Sequence, residues 1–468
     1  MLKNLSLKNF KGFQTLDNLE FKPITILCGT NSSGKSSILK SILLLKQTFE
    51  SQNLESLLQL NGKYLKLGSI KDIIYNHDEE NEIEFTFSFN FEDLFKRLEG
   101  SSIKSIVRDF FSISIAKNPE NKVLFSVCLK KNENSLVLNR LILKSEQVLL
   151  KLEHRLGRKY TLNCEKLFYL SKKKDENRFT TKNLAVEVVF DKSIVPSIII
   201  PIEKDEKTSK FSERRSVDFM CHYSGVLFKF FFEQISYIGP LRKEPARRYI
   251  YEEEIFSIGN RGENAAFIYT KEKNKKVDSC FYNENKNKFE FGTYKLGTAV
   301  NHWLKMMNII DFNNNQRNEI IRLNMKSDSG VKVDISDVGF GVSQIFPIIV
   351  EGLRMKKGQT LLLEQPEIHL HPKLQMQLTD FFIAMAKCNK NTIIETHSEH
   401  IINRLVRRSL EDDDIAKLIN IYFIENTEPK LIQIDKNKGI INWPKNFFDQ
   451  AANEEREILR LAIENRSK

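Results

Sequence analysis

The sequence lacks paired cysteines and lacks any long apolar run. Its six cysteines are scattered over 468 residues with no Cys-x-x-Cys pair, which argues against a zinc knuckle or a disulfide framework and favours buried thiols. The longest apolar stretches, such as residues 226–232 with Lys229 inside, fall short of the roughly 18 to 20 residues that cross a bilayer. The N-terminus shows no signal segment. We therefore expect a cytoplasmic protein with no membrane span and no membrane partner.

The sequence also has no strong excess of either charge. It contains 72 Lys and Arg against 61 Asp and Glu, which gives a net charge of +11. This modest basic excess leans towards a polyanionic partner and leaves contact with DNA open. Because 41% of the residues are hydrophobic, the chain has apolar material for about three folding units.

Alternating and apolar runs predict the secondary structure. Strands are predicted over residues 2–8, 24–28 and 83–89. Between residues 110 and 200, short runs separated by charged turns predict an antiparallel β-rich insertion, with strands over 123–129, 136–143, 148–152 and 185–190. Further along, the pattern predicts helices over 300–325, with Trp303, Met306, Met307 and Ile310 on one face, and over 342–356, and strands over 359–363 and 391–395.

Residues 29–36 match the phosphate-loop pattern G-x-x-x-x-G-K-[ST], between an apolar strand and an amphipathic helix. Glycines at this spacing let backbone N–H groups curl around phosphates at the helix N-terminus. We expect Lys35 to reach the β and γ phosphates of ATP and the Ser36 hydroxyl to bind Mg²⁺. The predicted ATP-binding residues of the loop are Gly29, Asn31, Ser32, Ser33, Gly34, Lys35, Ser36 and Ser37.

A second set of motifs completes this site in the sequence. The apolar run 360–363 ends in Glu364, a carboxylate suited to the magnesium ion held by Ser36. Another buried-type strand, 392–396, delivers His397 at its carboxyl end, where open α/β sheets bind ligands. Residues 337–344 place glycines, a serine and a glutamine at a helix start.

Taken together, these motifs resemble the ABC-type ATPases of the SMC-head and RecF-like group. The resemblance rests on residues 7–13, 29–36, 238–242, 337–344, 363–372 and 395–398, and on a tail at 439–444 with 447–449. It implies an α/β fold, an ABC-type P-loop NTPase core with a β-rich insertion, a helical subdomain and a small C-terminal α+β tail. The tail is typical of a small uncharacterised C-terminal domain in this group. Members include the ATPases of Septu-type anti-phage systems, which work beside an HNH endonuclease.

The resemblance also implies a division of the chain. The ATPase core comprises residues 1–90 and 331–427, and it is split by the β-rich insertion 91–235 and a linking, helical subdomain 236–330. Residues 428–468 form the small C-terminal domain. A Toprim nuclease, which some relatives carry after the switch histidine, would not fit beside this tail. We therefore expect any nuclease to belong to another chain.

Roles for further residues follow from the same resemblance. Gly341, Ser343 and Gln344 correspond to the signature motif, although Gly339 stands where its serine would be. Leu370 and His371 occupy the D-loop, and His397 is the switch histidine that senses the γ phosphate. The Q-loop glutamine has only a weak candidate in Gln59. In ABC-type sites the signature of one subunit closes over the nucleotide of another, so a homodimer or a larger even homo-oligomer is implied.

One position departs from the family pattern. Where the standard sequence has a catalytic glutamate after the magnesium-binding acid, this chain has Gln365. An amide cannot take a proton from water, so general-base assistance worth roughly 10² to 10⁴ would be missing and hydrolysis would be slow. Glu367 either recovers the role of base or serves as a helix cap or a partner of a basic residue. We expect Gln365, Glu367 and His397 to lie at the catalytic centre.

Two functions remain open at this level. The first is a nucleotide-gated sensor and assembly subunit of an anti-phage complex that regulates an HNH nuclease. The second is a RecF-like DNA repair ATPase with no dedicated nuclease partner. The insertion and the tail disfavour a transporter subunit. Lys243, Arg247 and Arg248 are candidates either for phosphate contacts or for structural salt bridges.

Overall fold

The computed structural model describes residues 2–51, 57–90, 122–133, 135–145, 149–168, 178–190, 194–196, 198–201, 208–250, 255–286, 288–326, 330–337, 341–444 and 450–466. It divides into two compact units. The first comprises Met1–Phe21, Ser36–Ser236 and Gly358–Leu362, and the second comprises Lys22–Lys35, Tyr237–Lys357 and Leu363–Lys468. Gly339 and the tail residues 447–449 lie outside the described residues. No described helix is long and apolar enough to cross a bilayer.

The first unit is built on an antiparallel sheet of nine strands. Its strands are β1 (Leu2–Phe10), β2 (Phe13–Glu20), β4 (Ile83–Asn90), β5 (Lys122–Asn132), β6 (Ser135–Lys144), β7 (Leu149–Leu156), β8 (Lys159–Phe168), β9 (Arg178–Val189) and β10 (Ile198–Pro201). The order β10-β9-β8-β7-β6-β5-β4-β1-β2 follows the chain as a meander from β4 to β10. The predicted insertion strands therefore continue the sheet that the N-terminal strands begin.

Aromatic side chains fill the core of the first unit. Helix α1 (Lys35–Glu50) and helix α2 (Thr208–Glu233) both contribute to it. The Phe49 ring stacks on Phe232 with a centroid distance of 5.3 Å, and Phe228 lies 4.2 Å from Phe125 in β5. Because aromatic rings bury large apolar areas, this cluster holds both helices against one face of the sheet.

The second unit contains a six-stranded sheet with the order β11-β18-β19-β3-β20-β21. Its strands are β11 (Ile235–Ile238), β18 (Thr360–Glu364), β19 (Asn391–Glu395), β3 (Ile24–Gly29), β20 (Ile419–Glu425) and β21 (Glu428–Leu431), of which residues 237–238 and 363–364 are the parts of β11 and β18 in this unit. Both β19 and β20 pair with β3 in parallel. Parallel pairing explains the nearly continuous apolar runs of these strands.

Helices and small β elements complete the second unit. The helices are α3 (Ala265–Glu272), α4 (Leu296–Met306), α5 (Gly341–Arg354), α6 (Pro372–Lys387), α7 (Glu399–Glu411), α8 (Asp413–Ala416) and α9 (Gln450–Arg466). The further strands are β12 (Tyr249–Ile250), β13 (Lys276–Asn283), β14 (Lys288–Lys295), β15 (Ile310–Arg317), β16 (Ile320–Lys326), β17 (Lys332–Asp334), β22 (Ile434–Asp435) and β23 (Gly439–Ile440). Single 3₁₀ turns cover Glu284–Lys286 and Ile335–Asp337 in this unit, and Lys71–Ile73 and Tyr75–His77 in the first unit.

The predicted helix over 300–325 is wrong beyond its first part. Helix α4 ends at Met306, and the strands β15 and β16 follow as an antiparallel pair. In β16 the buried residues Ile321, Leu323 and Met325 alternate with exposed or half-buried neighbours. This period of two places one face on the core, whereas the helical pattern depended on four apolar residues clustered before 311. The strand predicted over 185–190 begins seven residues earlier, at Arg178. The other predicted strands and the helix over 342–356 are confirmed within a few residues at their ends.

Buried polar groups tie the second unit together. Lys390, only 2% exposed, precedes β19 and donates to the carbonyl oxygens of Gly352 and Leu353 at the end of α5 and of Asp278 in β13. The ammonium therefore satisfies carbonyls that the last helical turn leaves open. The six cysteines are free and buried, as the sequence predicts.

Candidate nucleotide-binding site

The phosphate loop joins β3 to α1 and contains three residues of left-handed conformation. The φ angles are 136° at Gly29, 61° at Ser32 and 101° at Gly34. Such alternation of handedness turns successive N–H groups towards one concavity, which suits an anion. Glycine is required at position 29 for a second reason, because a Cβ there would lie 2.1 Å from the carbonyl oxygen of Ile424 in β20.

Lys35 lies inside this loop and is 3% exposed. Its Nζ donates to the carbonyl oxygens of Gly29, at 3.2 Å, and of Thr30, and it lies 3.5 Å from Ser33 Oγ. Burial lowers the pKa of Lys35, and the negative charge of Glu395 acts against this shift. Asn31 and Ser32 are exposed beside it, and Ser36 and Ser37 follow in the first turn of α1.

Glu364 ends β18 and is held by a tyrosine from the neighbouring strand. The Tyr237 hydroxyl donates to Glu364 Oε1 at 2.9 Å. Burial and the adjacent carboxylate raise the pKa of Tyr237, so the phenol keeps its proton and acts as a donor. A hydrogen bond of this kind fixes the direction of a metal-binding carboxylate.

The turn after Glu364 begins at Gln365, whose φ of 44° is unusual for a residue with a side chain. Its N–H donates to the carbonyl oxygen of Glu395 at 2.7 Å, which ties the turn to β19. On the other side, the Arg242 guanidinium donates to the carbonyl oxygens of Gln365 and Glu364, both at 3.0 Å. The turn is therefore fixed by backbone contacts on both sides.

Glu367 connects this turn to the backbone of His397. Its Oε1 accepts a hydrogen bond from the backbone N–H of His397 at 2.6 Å. Burial raises the pKa of Glu367, and the His397 N–H acts against the shift. Partial desolvation and the charge of Lys35 lower the pKa of His397, so its imidazole is neutral near pH 7 and can donate or accept one hydrogen bond. The Glu367 carboxylate thus contacts the backbone of the residue that carries the imidazole, although the two residues are 30 positions apart in the sequence.

The residues predicted for the D-loop and for the signature motif lie at the starts of two helices. His371 is exposed and caps α6, where its Nδ1 accepts from the Lys373 N–H at 3.3 Å, while Leu370 is buried. Gly341 begins α5, and Ser343 and Gln344 are only 6% and 3% exposed. Their predicted contact with the nucleotide of a second subunit stays a prediction.

The structure thus brings several predicted residues to one end of the sheet. Lys35, Glu395 and His397 interact electrostatically at the carboxyl ends of β3 and β19. Sequence reasoning did not assign roles to Tyr237, Arg242 or Glu395, although 238–242 and 395–398 were among the motifs of the resemblance. Arg247 forms an exposed ion pair with Asp337 at 3.0 Å, which favours the structural interpretation of that arginine.

The residues present fit ATP and Mg²⁺. The loop offers converging N–H groups and a buried ammonium, and Glu364 offers the carboxylate oxygens that Mg²⁺ prefers. Glu364 would hold Mg²⁺, and the ion would supply positive charge against the negative charge of the phosphates.

Comparisons with known proteins assign the family. A family model described as an AAA ATPase domain matches residues 1–402. The chain belongs to this AAA ATPase family. A second model, a protein of unknown function called DUF3696, matches residues 416–458. No curated protein sequence matches significantly.

Solved structures similar to this chain include heads of SMC proteins. An Smc head bound to the C-winged helix domain of ScpA is 13% identical, covers 94% of this chain and 99% of its own, and has a TM-score of 0.43. An Smc head with an extended coiled coil from Pyrococcus furiosus, bound to the C-terminal domain of ScpA, is 11% identical, with coverages of 98% and 99% and a TM-score of 0.41. These likenesses concern the fold alone.

Proposed function

We propose that this ATPase binds ATP with Mg²⁺, hydrolyses it slowly, and acts as the nucleotide-gated sensor and assembly subunit of an anti-phage complex that regulates an HNH nuclease. The observation that carries the nucleotide part is the convergence of Lys35, Glu395 and His397 at the carboxyl ends of two parallel strands. The role in defence is supported by the sequence resemblance and by the tail domain matched at 416–458.

Slow hydrolysis follows from the turn after β18. Gln365 offers an amide where a carboxylate would accept a proton from water. Glu367, the nearby alternative, already has one carboxylate oxygen bonded to the His397 N–H. In this proposal Glu367 orients the switch histidine, and the neutral imidazole of His397 meets the γ phosphate. Binding of ATP, rather than rapid turnover, then sets the state of the protein.

A second copy of the chain completes the site in this proposal. One chain carries one phosphate loop and one signature helix, so two copies arranged head to tail would enclose two nucleotides. The exposed His371 at the start of α6 and the first turn of α5 are the elements that would meet the second copy's nucleotide. An even homo-oligomer is the expected assembly.

Nucleotide binding is tested with Lys35→Ala and with Lys40→Ala as a control in the same helix. Equilibrium binding of ATP should be lost in the first variant and retained in the second. Mass in solution is then measured with and without ATP and Mg²⁺. A chain that stays monomeric in both conditions would reject the ATP-bridged dimer.

The slow rate is tested with Gln365→Glu, with Gln433→Glu at an exposed position as the control. A carboxylate at 365 should raise turnover by about 10²-fold, because it restores a general base. If turnover is already rapid in the unchanged protein and falls only in Glu367→Gln, then Glu367 is the base and the proposed role of Gln365 is wrong.

The biological role is tested by isolating the native complex and identifying its components by mass spectrometry. Recovery of an HNH endonuclease supports the defence role. The alternative, a RecF-like repair ATPase, is favoured by the exposed Lys243 and Arg248 and by the basic net charge. It predicts turnover stimulated by DNA ends or gaps, with no nuclease in the complex.

A further inference from the structure

Arg242 holds the turn between Glu364 and Glu367 from outside the nucleotide loop. It is 3% exposed, and its two terminal nitrogens donate to the carbonyl oxygens of Glu364 and Gln365, each at 3.0 Å. Two parallel donors on one planar group match two successive carbonyls, and neither a lysine nor a glutamine offers that geometry. The guanidinium can therefore make both hydrogen bonds only while the backbone keeps the conformation of this turn.

The charge of Arg242 is not used in a direct ion pair with a carboxylate among the described residues. Its Nε is buried with no acceptor in that part of the chain. Burial lowers the pKa of Arg242 to about 10, opposed chiefly by the charge of Glu367, so the group stays protonated at neutral pH. A buried charge held mainly by neutral carbonyls is costly to the fold. Arg242 lies beside a turn in which Gln365 has a φ of 44°. Holding this strained backbone conformation is a role that accounts for the buried charge, whereas overall stability does not.

The same segment of chain also holds the side chain of Glu364. Tyr237 and Arg242 are five positions apart, and Tyr237 donates to Glu364 Oε1 at 2.9 Å. The segment from Tyr237 in β11 to Arg242 therefore fixes both the carboxylate and the main chain of the same glutamate. The backbone carbonyls that Arg242 binds belong to the two residues placed next to the magnesium ion and the attacking water in the proposed function.

We propose that Arg242 is a positioning residue for ATP hydrolysis, which holds the Glu364–Glu367 turn in its left-handed conformation without touching the nucleotide. This inference rests on the proposed ATPase function. Release of the clamp lets Gln365 leave its strained conformation, so that Gln365 and Glu367 lose their fixed distance from the γ phosphate. Binding of ATP by the phosphate loop does not depend on the clamp.

The test uses Arg242→Lys and Arg242→Gln, with Arg408→Lys as a control for the loss of an equally buried guanidinium. Four quantities are measured: ATP affinity without metal, kcat of hydrolysis, KM of hydrolysis, and hydrogen exchange of amides 364–368. We expect kcat to fall by about 10- to 100-fold, which is the range for removing a residue that orients the groups around a metal ion. ATP affinity should be unchanged, and exchange at 364–368 should accelerate. Arg408→Lys should leave both kcat and that exchange unchanged.

Other results overturn the inference. Unchanged exchange at 364–368 with kcat near that of the unchanged protein would show that the turn holds itself. Equal losses of ATP affinity and kcat, reproduced by Arg408→Lys, would reduce Arg242 to a general structural role. If the Arg242 variants do not fold, Tyr237→Phe replaces them. This variant should raise the Mg²⁺ concentration needed for half-maximal turnover by about 10-fold. An unchanged Mg²⁺ requirement would overturn the inference that Tyr237 and Arg242 act together on Glu364. Failure of the unchanged protein to bind ATP would reject the proposed function instead, while the exchange measurement would still decide on the clamp.

Discussion

Two buried arginines of the second unit differ in what surrounds them. Arg408 in α7 is 2% exposed and donates to both carboxylate oxygens of Asp380, at 2.8 and 3.1 Å, and to Glu411 at 2.6 Å. Although burial acts against its charge, these carboxylates raise the pKa of Arg408. Arg242 is buried to the same degree but bonds to main-chain carbonyls, and its pKa is lowered.

The difference separates charges that hold the scaffold from a charge that shapes the site. Asp380 also accepts from Arg404, at 3.1 and 3.2 Å from its Nε, and the Tyr282 ring lies 3.5 Å from the Arg408 guanidinium carbon. This closed network joins α6 to α7 and leaves no group for a ligand. Arg242, by contrast, constrains one turn of four residues at the end of β18.

The largest effect on stability is expected from Asp380→Asn, which removes the carboxylate that pairs with Arg408. Two buried or half-buried guanidinium groups would lose their common carboxylate, and removal of one partner of a buried ion pair costs about 3–5 kcal/mol. Chemical denaturation should show this loss, with turnover per folded molecule unchanged. Asp413→Asn removes an exposed partner of Lys436 and serves as the control. A loss no larger than that of the control would mean that the network is not coupled.

The next effect is pH-dependent stability from Lys390, a buried cation that also bonds to carbonyls. Burial lowers its pKa from 10.5 to about 8. Because the unfolded chain then binds more protons than the folded one between these values, stability from this group rises with pH through that window and is least below it. The unfolding free energy of the unchanged protein relative to Lys390→Met should therefore increase by about 1–3 kcal/mol. Parallel profiles for the two proteins would contradict this.

Arg242→Gln should change the unfolding free energy less than either Asp380→Asn or Lys390→Met. The variant loses two hydrogen bonds from a charged donor but also removes a costly buried charge, so the two terms largely offset each other and the net loss is about 1 kcal/mol. Chemical denaturation of this variant and of Arg408→Gln compares the loss of unfolding free energy at the two arginines directly. Equal losses in the two variants would show that both arginines belong to the scaffold.

The smallest effect is expected at the exposed pair of Arg247 and Asp337, whose side chains are 76% and 47% exposed. Surface ion pairs contribute about 0–1 kcal/mol, and salt screens them. Arg247→Gln should shift the unfolding free energy by less than about 0.5 kcal/mol. A larger shift that persists at high salt would place this residue in an interface.

How much the sequence predicted depends on whether the signal is local. The phosphate loop was found because eight consecutive residues carry its geometry, and β3 and β19 were found because each is a short run rich in β-branched and apolar residues. The strands β15 and β16 were missed because apolar residues near Trp303 match a helical period just before the alternation begins.

The partners of the turn after Glu364 could not be predicted for a different reason. Tyr237 and Glu364 are 127 residues apart, and Arg242 contacts carbonyl oxygens, which every residue carries. Only the sheet order, with β11 beside β18, makes these contacts available. A sequence pattern names the catalytic position but not the residue that holds its main chain.

The close approach of Gly29 to Ile424 has a consequence for how the protein is made. The strand that carries the loop emerges first from the ribosome, but both of its parallel neighbours, β19 and β20, lie beyond residue 390. Until they are synthesised, the strand has no partner on either edge, and the glycine has no backbone to approach. Since domains form as the chain grows from its N-terminus, the nucleotide loop is translated first and assembled last. Nucleotide binding then reports that the chain has been synthesised and has folded at least as far as β20.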